Sequence, residues 1–99
     1  MDFSQALLEA KNGKAIRRKG WNAANQFVYH VPASAYDAQT GIASAYFGEG
    51  SKIQYTGYLA IKTVGDTVAP WLASQTDLLE SDWETVDLED LKESKAAQA

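Results

Sequence analysis

Along the first dozen residues the apolar positions Phe3, Ala6, Leu7 and Ala10 recur at spacings of three and four, with polar side chains between them. That spacing predicts one face of a short amphipathic helix. Asp2 and Gln5 have the form of a capping box, and Asn12-Gly13 supplies a left-handed stop. A helix of about two to three turns does not persist alone in water, so its face must dock on something. The pattern then changes. "KAIRRKGWN" gives a brief extended piece and a turn at Gly20, and Gln26 to Val31 is a β-branched and aromatic run closed by Pro32. From there to Ser51 small residues and turn formers dominate, which reads as a long excursion with one short strand around Ile42 to Phe47. Alternation returns afterwards, with Ile53, Tyr55, Leu59 and Ile61 on one side and Gln54, Thr56, Tyr58 and Lys62 on the other. Gly65-Asp66 is a two-residue hairpin signal, and "TVAPWL" returns antiparallel, with Pro70 at a sheet edge or outside the ladder. "SDWETVDL" supplies a final strand. The expected fold is α+β: a short N-terminal helix packed on a small antiparallel β-sheet, one domain over residues 1–88, followed by a polar, helix-prone and fraying tail over 89–99.

Composition narrows the chemistry. The chain has 99 residues, of which 45% are hydrophobic, and no apolar run approaches the roughly 20 residues that span a bilayer. The N-terminal stretch carries Asp2 and Glu9 and has no apolar h-region, so no secretory signal is expected. The absence of cysteine excludes disulfides, thiolate metal sites and a cysteine nucleophile, and it fits a reducing compartment. A net charge of -4 is a poor footprint for duplex DNA, so an anionic ligand has to be caught locally. Lys14, Arg17, Arg18 and Lys19 form such a patch.

Two stretches carry candidate chemistry, and each has two readings. In "RRKGWN", Arg17 to Asn22, arginine can bind phosphate through paired charge-assisted bonds while Trp21 stacks on a base. The same residues also read as a solvated basic strand leading into a core tryptophan, with Gly20 and Asn22 as turn formers. In "WLASQTDLLESDW", Ser74 and Asp77 stand as a capping box for a one-turn helix, with Trp71 and Trp83 as core anchors. The alternative uses Ser74, Gln75, Thr76 and Asp77 as donors and acceptors for ribose hydroxyls and base edges, beside Trp71 as a stacking surface. His30, the single histidine, lies mid-strand. It invites a triad with Ser74 and Asp77 but lacks a glycine-flanked nucleophile elbow, and no metal-ligand spacing exists. The surplus of tyrosine and tryptophan outside any helical stripe suits an interface. The residues alone therefore lead to a small α+β domain with an aromatic and polar patch, and no ligand.

The order of these motifs adds a family resemblance. The helix, the Arg18-Lys19-Gly20-Trp21-Asn22 turn, and the block from Trp71 through Ser74, Gln75, Asp77, Leu78 and Leu79 to Asp82-Trp83 closely resemble the second type of Thoeris anti-defence proteins. The resemblance covers Asp2 to Val86, with Ala33 to Lys52 its least typical part. It implies a non-enzymatic phage sponge, without cofactor or metal, that sequesters a TIR-derived cyclic ADP-ribose-type nucleotide in the cytoplasm of the infected host. It also implies cyclic dinucleotides as a second ligand class, and homo-oligomers built as dimers of dimers with shared pockets. Carried onto this chain, the ligand-binding residues are Arg18, Trp21, Asn22, Trp71, Ser74, Gln75, Thr76 and Asp77, with Arg18 on a diphosphate and Leu78, Leu79 and Trp83 locking the segment to the core. The rival of a different class is a non-catalytic protein–protein interaction module.

Overall fold

The computed structural model describes residues 1–98. Helix α1 (Phe3–Lys11) starts at a complete capping box: Asp2 Oδ1 accepts the Gln5 N–H at 2.9 Å, and Gln5 Oε1 accepts the Asp2 N–H at 3.2 Å. It ends in a Schellman turn, with Gly13 N–H donating to Ala10 O at 3.0 Å and Lys14 N–H to Glu9 O at 3.1 Å. Gly13 has φ +94°, the left-handed conformation that glycine enters without a Cβ penalty. The face it buries holds Ala6 and Ala10, with Phe3 packed beside them.

That face lies on a five-stranded antiparallel sheet formed by β1 (Ala15–Arg18), β2 (Phe27–Val31), β5 (Tyr58–Lys62), β6 (Val68–Pro70) and β7 (Trp83–Val86), in the order β6-β5-β2-β1-β7. Registers Ile16↔Val28, Val28↔Ile61, Ile16↔Thr85 and Arg18↔Trp83 put Ile16, Val28, Ile61, Arg18 and Trp83 on the same side, because residues directly opposite share a face. Ile16, Val28 and Trp83 are fully buried there with Ala6 and Ala10. At about 25 cal/mol per Å² the roughly 200 Å² of one buried indole contributes up to about 5 kcal/mol, so Trp83 is a principal anchor of so small a core.

Pro70 sits in edge strand β6, where a missing N–H breaks no ladder. The β5–β6 connection is a hairpin of three residues, Val64 to Asp66, closed by Thr63 N–H to Thr67 O at 2.8 Å. The two-residue expectation fails because Asp66, at φ +62°, takes the left-handed position that closes such a loop. The expected strand around Ile42 to Phe47 is instead helix α2 (Gly41–Phe47). Thr40 caps it through the Ala43 N–H at 3.1 Å and Gly48 stops it at φ +101°, so local capping overrides the aromatic content.

The alternating run Ile53 to Lys62 is two strands, not one. Strand β4 (Lys52–Tyr55) pairs with β3 (Ser34–Asp37) in a separate ribbon, and β5 joins the main sheet. The break falls at Gly57, where a Cβ would lie 3.1 Å from Val31 O and 3.2 Å from Ala33 N, so two backbones cross in contact. Helix α4 (Leu88–Gln98) takes up the helix-prone tail, with Asp87 Oδ1 accepting the Glu89 N–H at 2.9 Å; Ala99 lies outside the described residues. No helix among the described residues is long and apolar enough to cross a membrane.

Candidate functional site

The sheet order dictates where the 71–83 segment must go. Strand β6 is one edge and β7 the other, so the chain between them has to travel the full width of the sheet, and it does so through helix α3 (Gln75–Leu79) beside α1. Trp71 and Trp83 end up together at the β1–β2 turn, which carries Trp21. Ring centroids lie 6.4 Å apart for Trp21 and Trp71, 5.4 Å for Trp21 and Trp83, and 5.9 Å for Trp71 and Trp83, all edge-on. Phe3 closes the cluster at 6.1 Å from Trp71 and 5.2 Å from Trp83. Trp83 is 1% exposed, whereas Trp21 and Trp71 pack on the core while keeping a solvent-facing part.

Asp77 ties this cluster to the basic turn. Its Oδ1 accepts Arg18 Nη1–H at 2.9 Å and Trp21 Nε1–H at 3.2 Å, its Oδ2 accepts the Ser74 N–H at 3.2 Å, and its main-chain O accepts Trp83 Nε1–H at 2.8 Å. Ser74 Oγ completes the capping box on the Asp77 N–H at 3.1 Å. Arg18 also donates Nε–H to Asp82 Oδ1 at 2.8 Å, and Asp82 Oδ2 accepts the Gly20 N–H at 2.9 Å. A Cβ at Gly20 would lie 2.7 Å from Asp82 Oδ2, so only glycine lets the turn close on this carboxylate.

These contacts set the charge states. Burial pushes the Asp77 carboxyl up, but hydrogen bonds from Arg18, Ser74 and Trp21 outweigh it and hold the group below the usual carboxylate range. Arg18 and the Gly20 N–H hold Asp82 low against a smaller desolvation effect, and the two acids raise the Arg18 guanidinium further above its ordinary value. Arg18 and Asp77 are only 13% and 14% exposed. With two carboxylates on one guanidinium, the charge of Arg18 is fully engaged.

Of the eight residues expected at a site, Arg18, Trp21, Ser74 and Asp77 are thus bonded to one another, and Trp71 meets Trp21 edge-on. Asn22, Gln75 and Thr76 are exposed, and their side chains make no hydrogen bond among the described residues. Leu78 and Leu79 do not lock the segment down: they are 46% and 83% exposed. Once Asp77 points inward to Arg18, the next two positions rotate by about 100° and 200° and face outward. Trp83 does anchor the segment as expected. Asp82, Gly20 and Phe3 are the partners that local spacing misses; the Arg18↔Trp83 register, between positions distant in sequence, is what brings Asp82 to Arg18. His30 lies on β2 opposite Leu59, near Gly57, while Ser74 Oγ and Asp77 are committed to each other and to Arg18.

Comparison with known proteins bears on what such a site serves. A family model described as the Thoeris anti-defense 2-like domain matches residues 1–86. The chain is also similar to a curated protein named Thoeris anti-defense 2 from Bacillus phage SP01, with 34% identity over 89 residues, covering 87% of this chain and 94% of that protein.

Proposed function

Because the chain belongs to the Thoeris anti-defense 2-like family, we propose that it is a phage anti-defence sponge. In this reading it binds a TIR-derived cyclic ADP-ribose-type nucleotide, leaves it intact, and blocks Thoeris immunity in the cytoplasm of the infected host. Cyclic dinucleotides form a second ligand class. The observation that carries the reading is the edge-on Trp21–Trp71 pair, with Trp21 held by Asp77, next in sequence to the exposed and uncommitted side chains of Asn22, Gln75 and Thr76. Aromatic walls take a base, and amide and hydroxyl groups read its edge and the ribose. Arg18, Ser74 and Asp77 act as the frame that keeps those walls in place, which is what precise recognition from a loop requires.

The energetics favour a site shared between subunits. Nanomolar retention needs about -12 kcal/mol, and one or two base stacks at about 1 to 3 kcal/mol each fall short. Charge-assisted bonds at about 1.5 to 3 kcal/mol and exclusion of water by a second copy make up the difference. In this reading the protein acts as a homo-oligomer, the dimer of dimers that the family resemblance implies. A withholding role without turnover also suits the side chains: Ser74 Oγ is a helix cap bonded to the Asp77 N–H, not a nucleophile paired to a base.

A melting curve with and without a cyclic ADP-ribose-type compound tests the reading. Ligand at 100 times its Kd adds about 2.7 kcal/mol, which for a chain of this size raises Tm by about 10 °C or more. No shift with any cyclic ADP-ribose isomer or cyclic dinucleotide contradicts it and leaves the interaction module.

A further inference from the structure

The basic residues near the turn differ in how much of their charge is already spent. Arg18 carries two carboxylates. Arg17 gives Nε–H to Glu84 at 3.0 Å and Nη1–H to the Ala24 carbonyl, and Lys14 pairs with Glu9 at 3.1 Å. Lys19 is different. Its backbone N–H donates to Asp82 O at 3.0 Å, but its ammonium is exposed and meets no carboxylate among the described residues. It stands at a cleft of about 260 Å³ lined by Arg17, Arg18, Lys19, Trp21, Ala24 and Glu84.

The size of that cleft is informative. Sites that enclose a whole small molecule run to roughly 300–1,000 Å³, so this one suits a fragment. Its lining is cationic on one side: Glu84 and Ala24 engage Nε and Nη1 of Arg17 and hold the guanidinium against the wall, and Nη2 has no hydrogen-bond partner among the described residues. An uncommitted guanidinium nitrogen beside an exposed ammonium is an arrangement that receives phosphate oxygens. Trp21 belongs to both places, since it lines the cleft and meets Trp71 edge-on.

We propose that this cleft is a phosphate subsite in which the Lys19 ammonium and Nη2 of Arg17 receive a phosphate or diphosphate, while Arg18 positions the wall and does not bind the anion. One nucleotide then places its base against the tryptophans and its diphosphate in the cleft across Trp21. The assignment of that whole molecule rests on the nucleotide reading above; the anion subsite itself does not.

Calorimetry with inorganic pyrophosphate and with cyclic ADP-ribose, each at two salt concentrations, tests this on the wild type, Lys19→Gln and Lys14→Gln. Both lysines are exposed, and matching melting curves verify that the variants fold. Pyrophosphate binds the wild type and weakens with salt; Lys19→Gln loses about tenfold in affinity for both compounds and flattens the salt dependence, while Lys14→Gln changes either by less than about twofold. Absence of pyrophosphate binding to the wild type, or equal effects of the two substitutions, overturns the subsite. Undiminished binding of cyclic ADP-ribose to Lys19→Gln overturns the placement of its diphosphate in the cleft while sparing the nucleotide reading. Pyrophosphate binding that depends on Lys19, with no binding of cyclic ADP-ribose, supports the subsite and sinks that nucleotide as the ligand.

Discussion

Arg18 holds Asp77 and Asp82 together, and like charges this close are tolerable only with a cation between them. Both carboxyls have folded-state values below the ordinary one, so their contribution to stability is fully present above about pH 3.9 and is lost as pH falls through the depressed values. Arg18→Ala removes the cation and leaves two acids facing each other. The variant should melt well below the wild type at pH 7, and the gap should narrow as pH is lowered toward 3, where protonation relieves the repulsion and strips the wild type of its advantage. A gap that stays constant from pH 7 to pH 3 in calorimetric melting would show that Arg18 acts through packing alone. Arg18 is legible in the sequence as a basic position next to a tryptophan, but its two carboxylate partners are not, because Asp77 and Asp82 reach it from a segment distant in sequence.

At the scale of elements, legibility followed locality. Helix α1, its cap and its Schellman stop, the strand closed by Pro32, the capping box at α3 and the edge position of Pro70 all depend on neighbours within a few residues, and all are where the pattern puts them. The errors fall where distant contacts or competing local signals decide. Gly57 splits an alternating run because another backbone passes against it, and Leu78 and Leu79 face solvent because Asp77 is drawn to Arg18. The β1–β2 turn is built on a similar close approach at Gly20. Gly20→Ala should displace the Asp82 carboxylate from Arg18 and lower Tm, and the same substitution in an Asp82→Asn background should cost clearly less, since the two act on one contact. Equal losses in both backgrounds, measured by thermal unfolding, would mean that the cost comes from the turn's own backbone.

The whole molecule is larger than its chain length requires. A radius of gyration of 16.2 Å and extents of 45 × 35 × 21 Å compare with about 13 Å for a compact domain of this length. The β3–α2–β4 excursion exposes large apolar side chains: Tyr46 is 82% exposed with Phe47 edge-on to it at 4.8 Å, and Ile42 is 86% exposed. Exposed aromatics on α2, the helix that links the two strands of the ribbon, suit contact with another copy. Light scattering at micromolar concentration should therefore report a homo-oligomer. Tyr46→Ser with Phe47→Ser should lower its mass without changing the protomer's circular dichroism, and a wild-type protein that is monomeric throughout would remove the basis for a shared pocket.

The proposed sponge withholds a signal and leaves it chemically unchanged. Incubation with a cyclic ADP-ribose-type nucleotide, removal of free small molecules by filtration, and heating of the retained protein separate withholding from turnover in one measurement. The filtrate should be depleted in proportion to the protein added, and the unaltered compound should be recovered on heating. A linearised or hydrolysed product that accumulates with time, or a filtrate that is never depleted, would contradict it.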